Sequence, residues 1–163
     1  MIMPEITVIA HNIRSTHNVG AIFRTAEGFG VGNIILSGYT PYPKTPGDTR
    51  LPHISEKLHK QIHKTALGAE EIVPFEYHEQ LDIAKLSDSG FTIVGLEQAS
   101  HSSMLNTYVP PEKIALILGE EVQGIPSDII AMCDDIIEIP MKGKKESFNV
   151  SVAAGIALYA LTL

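Results

Sequence analysis

Six short runs dominated by isoleucine, valine and leucine constrain this chain more than any other feature. They are ITVIA (Ile6 to Ala10), NIIL (Asn33 to Leu36), IVPFEY (Ile72 to Tyr77), FTIVGL (Phe91 to Leu96), KIALIL (Lys113 to Leu118) and DIIEIP (Asp135 to Pro140). None shows a sustained apolar–polar alternation. A strand with one face in water alternates, whereas a strand covered by helices on both faces has no reason to. Helical periods lie between the runs. Val19, Ile22, Phe23 and Ala26 fall at i, i+3, i+4 and i+7, Leu58, Ile62 and Ala66 recur every four residues, and Leu81, Ala84 and Leu86 form a looser set. This alternation predicts an α/β domain with a mainly parallel sheet flanked by helices. No repeat or linker interrupts it, and 163 residues are too few for two full cores, so residues 1–163 are read as a single domain.

Composition narrows the function classes. With 44% apolar and 19% charged residues the chain is globular and not disordered. Its one cysteine, Cys133, excludes an internal disulfide and points to a reducing compartment. The start MIMPEITVIA has neither a basic n-region nor a small-residue cleavage site. The longest nearly apolar run, Val150 to Leu163, is 14 residues, short of the roughly 18 that a membrane span needs. A cytoplasmic protein without a membrane partner is the expectation. The net charge of −7 argues against broad nonspecific nucleic-acid binding and leaves room for a local basic patch.

The stretch AEGFGVGNIIL (Ala26 to Leu36) resembles a cofactor-cradling glycine loop. Such a loop follows a strand and opens a helix, so that the ligand meets the helix N-terminus. Here the helix comes first, N-capped on this reading by Asn18, and the strand follows. Gly28 or Gly30 therefore fits a left-handed helix cap. Gly20, one turn inside that helix, costs about 1 kcal/mol against alanine, which implies close approach of another backbone or a ligand. Arg24 lies one turn further on, and spacing alone reads it as a solvated helix residue.

The chemistry-bearing residue types collect after the later strands. LGEEVQGIP (Leu118 to Pro126) follows KIALIL, and IPMKGKKESFNVSVAAGIALY (Ile139 to Tyr159) follows DIIEI. Open α/β sheets bind ligands at these carboxyl ends. Ser147 or Asn149 is placed to cap the last helix, and Ala153, Ala154, Gly155 and Ala157 let that helix pack closely. The Pro-rich segment Tyr39 to Pro52 is too long for a tight connection.

Three blocks, NVGAIFRTAEGFGV (Asn18 to Val31), ILGEEVQGI (Ile117 to Ile125) and IPMKGKKESFNVSVAAGIALY, resemble in order and spacing the motifs of the SpoU, or TrmH-like, RNA ribose 2'-O-methyltransferases of the SPOUT superfamily. A weaker fourth match is KTALGAE (Lys64 to Glu70). The resemblance covers essentially the whole chain. It implies a C-terminal deep trefoil knot, an exception to the usual unknotted topology. It also implies S-adenosylmethionine as cofactor, tRNA or rRNA as substrate, and a homodimer that completes the site. By that likeness Leu96, Gly119, Ile139, Met141, Ser147 and Phe148 line the adenosyl pocket, with Phe148 standing where the family commonly has leucine. Asn18, Arg24, Glu121, Ser147 and Asn149 match the polar active-site positions.

A ribose hydroxyl attacking a sulfonium methyl needs in-line alignment and a destination for its proton. A guanidinium holds its own proton above about pH 12, so Arg24 is read as a clamp on an RNA phosphate or the developing alkoxide. The basic loop KGKKE (Lys142, Lys144, Lys145), with Arg14, Lys44 and Arg50, supplies candidate phosphate contacts, or is simply a solvated loop. His59 and His63 have the i, i+4 spacing of a metal pair, but sequence offers no third ligand, and no metal is expected. Two other readings stand beside the enzyme. One is a non-catalytic RNA-binding or assembly homodimer with the same fold; the other is an unrelated enzyme reading a dinucleotide through GFGVG, against which the helix-first order speaks.

Overall fold

The apolar runs all enter one sheet, and its two covered faces explain why they do not alternate. The computed structural model describes residues 3–163, so the leader-free reading of the N-terminus begins, at Met1 and Ile2, outside the described residues. Strands β1 (Glu5–His11), β2 (Asn33–Ser37), β3 (Phe75–His78), β4 (Thr92–Leu96), β5 (Ser103–Met104), β6 (Lys113–Leu118) and β7 (Asp135–Glu138) form a seven-stranded sheet. Their order is β3-β2-β1-β6-β4-β7-β5, and every pairing is parallel. Val8 lies opposite both Ile34 and Leu116, which sets the register of the central strands. Helices α1 (Thr16–Gly28), α2 (Pro52–Ala66), α3 (Ala69–Ile72) and α6 (Val150–Thr162) cover one face, and α4 (Ile83–Asp88) and α5 (Ser127–Met132) the other.

Consecutive strand residues point to opposite faces. Val8, Leu36 and Leu116 pack with Phe23, Ile62 and Leu158. Their neighbours Ile9, Ile35 and Ile117 pack with Ile83 and Ile129 on the far side. Among the described residues no helix is long and apolar enough to cross a membrane.

Three local expectations are corrected. Ser15, not Asn18, caps α1: the Ser15 hydroxyl accepts the Asn18 N–H at 3.2 Å. IVPFEY is not one strand, because Ile72 ends α3 and β3 begins only at Phe75. Leu67 and Gly68, with φ of 52° and 100°, turn the chain into α3, and Pro74 has no N–H to give to the ladder. Elements β5 and α5 escaped notice because two and six residues are too short to show a period.

The glycine run does end α1, and Gly30 is the left-handed residue, at φ 67°. Val31 N–H donates to Ala26 O at 2.9 Å and Gly30 N–H to Glu27 O at 3.1 Å, a paired closure that buries Val31 against Ala26. What Gly20 makes room for is α2. A Cβ there would sit 2.2 Å from the Ile62 carbonyl oxygen.

Candidate functional site

The carboxyl ends of β4, β6 and β7 lie side by side, and the loops leaving them enclose a cavity of about 1010 Å³. Leu96, Gly119, Ile139, Met141, Ser147 and Phe148 all line it. So do the carboxylate residues Glu97, Glu120, Glu121, Glu138 and Glu146. The lining is thus mixed, with apolar side chains beside five carboxylates and the Arg14 guanidinium.

Glycines allow the β6 loop to fold tightly there. A Cβ on Gly119 would lie 2.4 Å from Ile125 N, and one on Gly124, at φ 69°, would lie 2.0 Å from Glu97 Oε2. Gly124 N–H donates to Glu120 O at 3.0 Å and closes the turn. From the end of β4, the Glu97 carboxylate accepts the N–H of Ile125 at 3.0 Å and that of Gln98 at 3.0 Å. Gln98 Nε2 donates to Glu146 O at 2.7 Å, which ties the loop after β7 to the loop after β4.

Asn18, Glu121 and Asn149 form one hydrogen-bonded chain. Asn18 Nδ2 donates to Glu121 Oε1 at 2.8 Å, and Asn149 Nδ2 donates to Asn18 Oδ1 at 3.3 Å. Because Ser15 does the capping, the Asn18 side chain is free for this. Asn149 is also the cap of α6, its Oδ1 accepting Ser151 N–H at 2.9 Å. Ser147 lies on the cavity wall. Arg24 is the exception. It is exposed on α1, about 9 Å along the helix from Asn18, off the cavity lining, and makes no hydrogen bond or ion pair among the described residues.

The basic residues divide. Lys142, Lys144 and Lys145 are exposed on the loop after β7. Arg14, 77% exposed, stands 4.0 Å from Glu120 Oε2, and Lys44 pairs with exposed Glu56 at 3.1 Å. Arg50 has partners within the chain. It donates to both Asp48 oxygens at 2.9 and 2.5 Å, to Tyr42 O at 3.0 Å and to Pro43 O at 3.1 Å. Most of its fork is spent bracing the Pro-rich loop, and it holds the Asp48 carboxyl well below the usual carboxylate range.

Sequence reasoning also missed a third donor near the histidine pair, since Glu70 and Glu71 oxygens come within 4.8 Å of a His59 nitrogen. The Glu70 oxygens are already engaged by His63 Nδ1 and, at 2.9 Å, by Gly68 N–H. Asn12, Tyr39, Glu97, Gln98 and Glu120 are cavity residues that sequence reasoning did not name. Their signal was position. Each directly follows or nearly follows a strand at its carboxyl end, Tyr39 after β2 included.

A parallel sheet with a cofactor-sized, carboxylate-bearing cavity at its carboxyl ends defines a ligand-binding α/β domain. The chain belongs to the SpoU rRNA Methylase family, whose sequence pattern matches residues 5–159. It is 32% identical over 157 residues to the 23S rRNA (guanosine-2'-O-)-methyltransferase RlmB of Neisseria meningitidis, covering 95% of this chain and 57% of that protein. It is 31% identical over 158 residues to the mouse tRNA (guanosine(18)-2'-O)-methyltransferase TARBP1, covering 97% of this chain and 9% of that one. The chain thus spans little more than half of one relative and a small part of the other. Among solved structures, the A. aeolicus TrmH/SpoU tRNA modifying enzyme superposes with a TM-score of 0.78 at 25% identity, over 98% of this chain and 75% of that one. The rRNA methyltransferase from Sinorhizobium meliloti superposes with a TM-score of 0.80 at 25% identity, over 98% and 57%.

Proposed function

We propose that this chain is an S-adenosylmethionine-dependent RNA methyltransferase, acting in the cytoplasm as a homodimer of one methyltransferase domain per chain and modifying a ribose 2'-hydroxyl of tRNA or rRNA. The observation that carries the reading is the convergence of Leu96, Gly119, Ile139, Met141, Ser147 and Phe148, from three separate strand ends, on one cavity. The cavity suits the cofactor. Its volume of about 1010 Å³ is at the upper end of small-molecule sites, the apolar side chains in its lining accept an adenine ring, and the carboxylates among them favour a sulfonium and an ammonium. Bound there, S-adenosylmethionine supplies an electrophilic methyl group.

In this reading Leu96, Gly119, Ile139, Met141, Ser147 and Phe148 would hold the cofactor so that its sulfonium methyl would be available to the ribose oxygen, and the hydroxyl proton would pass to water or an RNA phosphate. Arg24 clamps that phosphate or the developing alkoxide. The Asn18–Glu121–Asn149 chain holds α1, the β6 loop and α6 in fixed relation, and Ser147 faces the cofactor. Exposed Lys142, Lys144, Lys145 and Arg14 offer phosphate contacts on an otherwise acidic surface.

The dimer reading rests on α6. Its buried side carries Ala154, Ala157, Leu158 and Leu161, yet its outer side carries Val152 and Tyr159, exposed at 49% and 57%. A helix apolar all round is one that something covers. The deep trefoil knot is the finer topology we propose, supported by β4 lying between β6 and β7 and by the Gln98–Glu146 bond between the two loops concerned.

The off-cavity position of Arg24 also favours a second reading, a non-catalytic RNA-binding dimer. One experiment separates them: methyl transfer from labelled S-adenosylmethionine to undermodified total RNA, with nucleosides resolved by mass spectrometry. The wild type should add a 2'-O-methyl mark, and Arg24→Ala should lose roughly a hundredfold or more in rate with cofactor affinity retained. Cofactor binding without transfer by the wild type would favour the non-catalytic reading. No cofactor binding would overturn both the cavity assignment and the enzyme.

A further inference from the structure

Beside the large cavity lies a second recess of about 700 Å³, and the two share Arg14 and Tyr39. Tyr39 is 51% exposed, yet it is held at several points. Its hydroxyl donates to Glu120 Oε2 at 2.7 Å, its N–H donates to Asn12 Oδ1 at 3.2 Å, and the carbonyl before it accepts the Tyr77 hydroxyl at 2.6 Å. Tyr77 in turn stacks on Tyr42, with centroids 4.1 Å apart and planes at 15°, and the Arg50 guanidinium stands 3.5 Å from the Tyr42 centroid. Arg14 stands 5.3 Å over the Tyr39 ring.

A solitary exposed aromatic needs no explanation. A ring fixed through its hydroxyl, its backbone and the residue behind it, with much of its surface still open, has already lost the freedom that binding would remove. Arg14 stands over the ring as a planar cation, and the exposed remainder of the π-surface is available for stacking. Glu120, which would repel a phosphate chain, is occupied by the Tyr39 hydroxyl, by Gln123 N–H at 3.1 Å and by nearby Arg14.

We propose that Tyr39 is a stacking platform for an unpaired nucleobase, that of the reacting nucleotide or its neighbour, with Arg14 closing on it. The inference rests on the reading of the chain as an RNA methyltransferase and deepens it: the target presents a single-stranded base here, because a paired and stacked base has no free face.

The chain contains no tryptophan, so Tyr39→Trp introduces a single indole that preserves the platform. The full-length protein is titrated at low salt with short mixed-sequence single-stranded oligoribonucleotides and with duplexes of the same sequences. The single strands should quench the indole and the duplexes should not. Tyr39→Leu should bind the single strands at least about tenfold more weakly by anisotropy, while its circular-dichroism spectrum shows the wild-type fold. Tyr39→Phe, which keeps the ring but loses the hydroxyl anchor on Glu120, should fall between the wild type and Tyr39→Leu. Unchanged oligonucleotide affinity in Tyr39→Leu, an unquenched indole at saturation, or no single-strand binding by any of these proteins overturns the proposal. Neither readout needs methyl transfer. A chain that stacks bases but transfers no methyl group would retain the inference and lose the enzymatic reading, and one that methylates RNA with an unchanged KM in Tyr39→Leu would do the reverse.

Discussion

Replacing Gly20 by alanine tests whether the α1–α2 crossing sets the site. The added Cβ would lie 2.2 Å from Ile62 O, 2.1 Å from Thr65 Oγ1 and 3.0 Å from Ala66 N. Moving the Ile62 carbonyl from 2.2 Å to the 3.0 Å floor of real Cβ contacts requires the backbone to retreat by about 0.8 Å. Ile62 and Ala66 are 0% and 1% exposed, so the retreat loosens the core around them. Thr65 Oγ1 must swing away as well, losing its 2.8 Å bond to His17 O, worth about 1 kcal/mol. Overpacking costs roughly 1–3 kcal/mol, and the better helix propensity of alanine returns about 1 kcal/mol. The net is about 1–3 kcal/mol of destabilisation, or roughly 2–12 °C in Tm for a domain of this size. Asn18 and Arg24 flank Gly20 on the same helix, so methyl transfer should fall too. Urea and thermal unfolding read the stability, with Gly28→Ala as control. Gly28 ends α1 with nothing within 4 Å of a Cβ, and alanine there should stabilise by about 0.5–1 kcal/mol. If Gly20→Ala stabilises as Gly28→Ala does, the glycine does not set the spacing of the two helices.

Asn149→Ala removes the cap of α6 and its link to Asn18. It should cost about 1 kcal/mol in unfolding free energy, together with a drop in methyl transfer; unaltered melting would show that the cap carries no stability. Burial, and then the Asp134 charge, push the Cys133 thiol up to about 11. Native Cys133 should therefore be alkylated far more slowly at neutral pH than the urea-unfolded chain, and equal rates would contradict that environment. The sign for stability follows from a raised folded pKa. The contribution of the neutral thiol is complete below the ordinary 9.0 and is lost as pH rises toward about 11. Cys133→Ala should flatten that alkaline decline in melting temperature.

Much of the architecture was readable because burial writes a pattern along the chain. Val8 and Ile9, like Leu116 and Ile117, are both apolar because each member of the pair meets a different layer of helices. Gly30 was readable as a helix stop because the left-handed conformation favours glycine. The cap of α1 was not, since Ser15 and Asn18 are both good cap formers and a local signal cannot choose between them. Had Asn18 been the cap, its side chain would have been turned to its own helix and unavailable to Glu121. The bracing role of Arg50 was illegible for a related reason. A lone arginine in an irregular loop gives no local sign that its fork closes on Asp48, Tyr42 and Pro43.

By itself, the sequence determined the kind of elements, the parallel sheet they make, and which residue types stand at the carboxyl ends of the strands. All of these follow from which faces must leave water, and that is legible residue by residue. Only the tertiary structure decided the meetings: Asn18 with Glu121 across 103 positions, Asn149 with Asn18 across 131, and Tyr39 with Glu120 across 81. Those meetings depend on strand order. Placing β6 beside β1 and β4 brings the three loops together, and no local pattern of burial records which strand a given strand will pair with.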